Sequence, residues 1–163
     1  MSKSVFQSSI SWRVVESKWP STQEAFRGLD AEKVAGMTEE DIDDLAKDTR
    51  VIRNRRKLDA IVGNARRMIE LEAEHGTFRD YLRSHADFDA TVKALRKDFK
   101  FLGDMASYLF LYVVGEDDLV PISDTEALSY AGFASELALM THDPSLQVLT
   151  GISSHGLALL QSP

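Results

Sequence analysis

The chain has 163 residues, 44% of them hydrophobic, with no cysteine and a formal net charge of −7. That length suits one domain with a substantial core, and the lack of cysteine excludes disulfides and thiolate chemistry. No apolar run approaches the ~18 residues that span a bilayer, and the start MSKSVFQSS lacks the apolar stretch of a secretory signal. The expectation is an intracellular, cytoplasmic protein. His75, His85, His142 and His155 are scattered without ligand spacing, so no metal is expected.

The charge is unevenly placed. All 19 Lys and Arg lie at or before Lys100, beside 18 of the 26 acids, while residues 101–163 carry eight acids and no Lys or Arg. A first part that is nearly neutral can present a basic face to phosphate even though the whole chain is acidic.

In chain order, Ser11 is placed to cap a helix that runs through Trp19 and is halted by Pro20. The stretch STQE from Ser21 to Glu24 reads as a capping box, with Gly28 ending that short helix. Asp30 and Thr38 are the next N-caps, the second opening EEDIDDLAK, whose acids favour a helix start. The clearest helix begins near Ile52, where Leu58, Ile61, Val62, Ala65, Met68, Ile69 and Glu72 recur at three- and four-residue spacing until Gly76. Thr77 then caps a helix with Phe78, Tyr81 and Leu82, and Asp89 caps one with Val92 and Leu95. A turn from Phe99 to Asp104 leads to an apolar helix carrying Met105, Tyr108, Leu109, Tyr112 and Val113, closed by Gly115.

Strand alternation is nearly absent, so the expected class is all-α. Residues 1–120 are expected to form one helical domain, and residues 121–163 a divergent C-terminal segment, helical or partly disordered. Within it, SDTE from Ser123 to Glu126 suits the start of a helix through Leu139, which Asp143 and Pro144 would end. A packed helix, a partner-binding segment and a poorly ordered end all fit the final residues.

Three stretches carry candidate chemistry, and each has a plainer reading beside it. Phe6 to Trp12 reads as a polar turn presenting an aromatic and an aliphatic side chain. An enzyme that works on a base in duplex DNA must extrude it, stack it and plug the gap. Trp12 suits the stacking plate, Ile10 the wedge and Gln7 a hydrogen bonder to a base edge; Trp12, Ile10 and Val14 also suit the core of a first helix, the commoner use of such residues. The basic stripe of Arg50, Arg53, Arg55, Arg56, Lys57, Arg66 and Arg67 is available for phosphate or for pairing with Asp48, Asp59 and Glu70. In FKFLGD, a tight turn would aim the amides of the next helix at a phosphate, Gly103 allowing close approach while Lys97 and Lys100 add charge. An ordinary connector fits there too, with Asp104 either repelling an anion or capping the helix.

Taken in order, FQSSISW, WPSTQEAFRGLD, EKVA, EEDI, IRNRRKLDAIVGNAR, HGTF and FKFLG form a series covering about residues 5–116. The series resembles the DNA-3-methyladenine glycosylase I family of the helix-hairpin-helix glycosylase superfamily. The resemblance implies an orthogonal helical bundle with a helix-hairpin-helix element. It also implies a repair enzyme that flips 3-methyladenine out of alkylated DNA and hydrolyses the N-glycosidic bond without a cofactor. N3-methylation leaves the purine cationic and a good leaving group, so stacking and electrostatic stabilisation can supply much of the catalysis. In that frame Trp12 and Gln7 bind the base, Ile10 is the wedge, and Lys97, Lys100, Phe101, Gly103 and Arg53 contact DNA. The implied partner is double-stranded DNA bearing alkylated bases, bound by a monomer, at the nucleoid in a bacterium. Better-known members carry pocket aromatics and part of a zinc site before the matched blocks, and a base-recognising glutamate where this chain has Ser4. No catalytic residue is therefore assigned, and the alternative is a non-catalytic DNA-binding module on the same scaffold.

Overall fold

The structure, a computed structural model, describes residues 1–116 and Leu119. The expected helix through Leu139 and the whole 121–163 segment lie outside the described residues. Among the described residues every regular element is a helix: α1 Ser2–Gln7, α2 Trp12–Ala25, a 3-10 turn Arg27–Leu29, α3 Ala31–Ala35, α4 Glu39–Lys47, α5 Arg55–His75, α6 Phe78–Arg83, α7 Phe88–Asp98 and α8 Asp104–Val113.

Local chemistry explains most of the boundaries. Thr38 and Asp41 form a reciprocal capping box at the start of α4, with bonds of 3.2 and 2.8 Å. Asp30, Asn54, Thr77 and Asp87 each accept a backbone N–H of the first turn of α3, α5, α6 and α7. Gly76 and Gly115 take the positive φ that ends α5 and α8, whereas α2 ends at Phe26 and Gly28 takes its positive φ inside the 3-10 turn that follows.

α5 is the axis of the described residues. Its 21 residues give a rod of about 30 Å, long enough to serve two cores in succession. Leu58, Ala60, Ile61 and Val62 pack with Val5, Phe6, Val15, Phe26, Val34, Met37, Ile42 and Leu45 in the first core. One end further on, Leu71 joins Tyr81, Leu82, Leu95, Phe99, Leu102, Phe110 and Leu111 in the second.

Three expectations from local pattern are corrected. Pro20 does not halt α2, which runs on to Ala25. A proline inside a helix costs roughly 3 kcal/mol, but Val15, Trp19, Thr22 and Phe26 form one stripe at helical spacing that packs inward. Burial of that stripe outweighs the lost N–H donor. Ser21 is accordingly not a cap: its hydroxyl lies 3.0 Å from the Lys18 carbonyl and 2.8 Å from that of Arg50. Asp87, rather than Asp89, caps α7, and the earlier start brings Phe88 onto the second core. Finally, Phe6 is not in a polar turn but in α1, where it and Val5 are 0% exposed. The turn itself is only residues 8–11.

Candidate nucleic-acid interface

The turn at residues 8–11 is built from beneath. The Ser8 N–H donates to the Ser4 carbonyl at 3.1 Å and its hydroxyl to the Val5 carbonyl at 2.9 Å, which closes α1. Under that end lies Lys57, a side chain of α5 only 1% exposed. Its ammonium donates to the Val5 carbonyl, to the Phe6 carbonyl at 3.0 Å and to the Ser8 hydroxyl at 2.9 Å. Burial lowers the Lys57 pKa from its ordinary value, while the carbonyls at a helix C-terminus favour a cation. Above this support, Gln7 ends α1 half-buried, Ile10 is half-buried against the first core, and Trp12 opens α2 half-buried.

The second turn, residues 99–103, sits where the two cores meet. Phe99 and Leu102 are buried in the second core, Phe101 packs against the first, and Lys100 and Gly103 face solvent. This alternation forces Phe101 to φ 59°, a left-handed conformation that costs an L-residue about 1–2 kcal/mol. Two supports hold it. Asn64 of α5, 4% exposed, donates its amide N–H to the Lys100 carbonyl at 3.0 Å and accepts the Lys100 N–H at 2.8 Å. The Lys57 ammonium lies 5.2 Å from the centroid of the Phe101 ring. Phe101 is thus partly a structural residue, and its ring lies against protein.

Gly103 shows the opposite. Its φ is ordinary and a Cβ built there would meet no protein atom within 4 Å, so the fold does not require glycine at this position. Its open face is a place where an outside group can approach the backbone closely. The following helix, α8, begins with Asp104, whose carboxylate is held by Arg96 at 2.7 Å.

The basic stripe resolves into two groups. Arg50 pairs with Asp48, Arg55 with Glu39 and Asp43, and Arg67 with Glu70, Glu74 and Asp98. Those contacts hold the Asp48 carboxyl below its usual range and raise the Arg67 guanidinium further. Arg66 donates to the Ala35 and Met37 carbonyls, and Lys57 is buried, so these five side chains serve the fold. Arg53 and Arg56 remain, exposed and with no carboxylate partner among the described residues. So do Lys97 and Lys100, together with Arg13 and Lys93, which sequence patterning did not single out. Lys93 lies one helical turn before Lys97 on α7, so the two lead toward Lys100 along one side.

The methyladenine glycosylase family model matches residues 1–100, which include the first turn and all six of these exposed basic residues. The chain belongs to that family. It is 33% identical over 130 residues to DNA-3-methyladenine glycosylase 1 of Escherichia coli (strain K12), covering 67% of this chain and 70% of the relative. A DNA-3-methyladenine glycosylase of Haemophilus influenzae is 32% identical with the same coverage. Among solved structures, 3-methyladenine DNA glycosylase I from Staphylococcus aureus superposes with a TM-score of 0.60 at 28% identity, covering 68% of this chain and 70% of that one. Another, of 3-methyladenine DNA glycosylase I, gives a TM-score of 0.59 at 30% identity over 68% and 72% of the two chains.

Within this family fold, Ser4 is half-buried in the middle of α1, with no carboxylate to offer. Glu16, one turn beyond Trp12 on α2, is paired with Lys3 at 2.6 Å. A cavity of about 260 Å³ opens among Trp19, Leu29, Val34, Ile61, Met68 and Phe110. Gln7, Ile10 and Trp12 do not line it. Among the described residues no group of three or more His, Asp or Glu is arranged to hold a metal ion, and no helix is long and apolar enough to cross a membrane.

Proposed function

We propose that this chain is a DNA-repair N-glycosylase that removes 3-methyladenine from alkylated double-stranded DNA, working as a monomer inside the cell. The observation that supports it most is the pairing, in a methyladenine glycosylase family member, of a backbone-accessible Gly103 with exposed, unpaired lysines beside it. Lys93, Lys97, Lys100 and Arg53 grip phosphates, and the open face of Gly103 lets a phosphate reach the N-terminal amides of α8. The 99–103 turn then acts as the hairpin of a helix-hairpin-helix element. Ile10 fills the space left by the extruded nucleotide, and Trp12 with Gln7 receives the base.

The chemistry asks little of a general acid. As the bond between C1′ and N9 breaks, its electron pair neutralises the positive charge on the methylated purine. Water adds to C1′ and loses a proton to solvent. Placement and exclusion of competing water then carry the rate, which is compatible with Ser4 at the position where family members carry a glutamate.

The test is release of free 3-methyladenine from methylated duplex by the purified protein, with Trp12→Ala as the control. Release that matches the Trp12→Ala level while DNA binding persists would overturn the enzyme reading. It would favour a second one, a DNA-binding module without catalysis, for which Ser4 and the Lys3-bound Glu16 are the supporting observations. Binding in either case weakens with salt, and each phosphate contact removed lowers the log–log slope by about 0.9.

A further inference from the structure

One cation inside this protein faces no carboxylate among the described residues. Lys57 is 1% exposed, and its ammonium spends its donors on the carbonyls of Val5 and Phe6 and on the Ser8 hydroxyl. A buried ammonium is tolerated only when such donors are matched, and an apolar side chain would fill the same space between helices without that demand. Its depth also keeps it from acting on a substrate directly. Its neighbours are more informative. On one side it closes α1 and supports Ser8, the first residue of the turn that leads through Ile10 to Trp12. On the other it faces the ring of Phe101 at 5.2 Å, in the turn that carries Lys100 and Gly103. Seven residues along the same face of α5, Asn64 holds the backbone of Lys100.

We infer that Lys57 is a positioning residue that locks the base-extruding turn, residues 8–11, to the phosphate-gripping turn, residues 99–103. Each turn has its own local support: the first in the closing bonds of α1, the second in Asn64. Both Ile10 and Phe101 also rest on the first core, and Lys57 adds a polar contact that reaches each turn. It sets their register, so that a duplex held by its phosphates meets Ile10 and Trp12 at a fixed offset. Without it the protein still binds DNA but no longer favours a site where the base is absent or extruded. The inference rests on the glycosylase reading above.

The experiment uses the full chain with Lys57→Met and Lys57→Arg. Amide hydrogen exchange is read without DNA, and affinity is measured for an undamaged duplex and for the same duplex with a tetrahydrofuran abasic analogue. In Lys57→Met, exchange rises about tenfold or more in both turns together. Preference for the abasic duplex falls about tenfold while affinity for undamaged duplex stays within about twofold. Lys57→Arg, which keeps a cation and its donors, restores part of the preference. Faster exchange at residues 8–11 alone, or equal loss for both duplexes, overturns the inference and leaves Lys57 a helix anchor. Should Lys57→Met not fold, Phe101→Leu removes the ring facing the ammonium and must reproduce the lost preference; if the preference survives, the inference fails. A wild-type protein without preference for the abasic duplex defeats the glycosylase reading instead, and the exchange result still decides whether Lys57 couples the two turns.

Discussion

Replacing Asn64 by alanine isolates the clamp on the 99–103 turn. The side chain is 4% exposed and makes two bonds to one peptide unit, 3.0 Å to the Lys100 carbonyl and 2.8 Å from the Lys100 N–H. Alanine removes both at the residue before Phe101, which is held at φ 59°. Two neutral hydrogen bonds contribute about 2 kcal/mol net. Release of the left-handed strain, about 1–2 kcal/mol, favours opening of the turn and limits how far the rest can compensate. Lys100 is exposed, so water can re-satisfy part of its peptide, and the expected loss is about 2 kcal/mol rather than the full penalty of two orphaned groups. For a chain of this size that is a fall of about 4–8 °C in Tm. Asn64→Asp keeps the acceptor for the Lys100 N–H but sets a carboxylate against the Lys100 carbonyl. It should cost more than alanine at neutral pH and recover as the acid protonates. Urea unfolding gives the free energy, and hydrogen exchange at the Lys100 amide reports the clamp itself. An alanine variant within about 0.5 kcal/mol of wild type, with Lys100 protection unchanged, would refute the reasoning.

Gly103→Ala should cost no more than about 1 kcal/mol, the disadvantage of alanine against glycine just before a helix start, because the added Cβ meets no protein atom; DNA affinity should drop by more than that loss explains, and urea unfolding with DNA titration at fixed salt checks the two halves. Pro20→Ala restores an N–H donor at an exposed position inside α2, and after the added entropy of the unfolded chain is subtracted it should stabilise by about 1–2 kcal/mol in urea unfolding. His85 buries Nε2 without a partner, and burial, with His75 nearby, lowers its pKa below the ordinary 6.5. A lowered histidine pKa means that the unfolded chain binds more protons at acid pH, so stability contributed by His85 is complete above about pH 6.5 and lost as pH falls below it. His85→Phe should flatten that part of the stability profile, and an unchanged slope between wild type and variant would dismiss the assignment.

Much of the fold was legible locally. Thr38 with Asp41, Asp30 and Thr77 cap where their side chains reach the next turn, an interaction that spans three residues and needs nothing from elsewhere. The apolar period from Leu58 to Met68 marked α5 for the same reason. Lys57 and Asn64 carried a weaker signal: they stand seven residues apart on the side of α5 that also bears Ile61, Met68 and Leu71, where polar residues are out of place. Counting Lys57 within a phosphate-facing stripe overlooked it, because its partners, Val5, Phe6 and Ser8, lie about fifty positions away in the chain.

Residue order alone was enough for the all-α class, the family series from FQSSISW to FKFLG, and the turn after α7, since each depends on short-range spacing or on motifs read in sequence, while the first turn proved shorter than its motif because Phe6 is drawn into α1 by the core. Packing settled which side chains in those stretches remain free. Arg66 and Lys57 turn to backbone carbonyls while Lys97 and Lys100 stay in solvent, though all four read alike as basic residues. Pro20 yields to the buried stripe around it, and Phe101 takes a strained backbone because it packs on the first core while Phe99 and Leu102 enter the second. These outcomes depend on contacts between residues far apart in the chain, whose combined energy exceeds the local preference at any one of them.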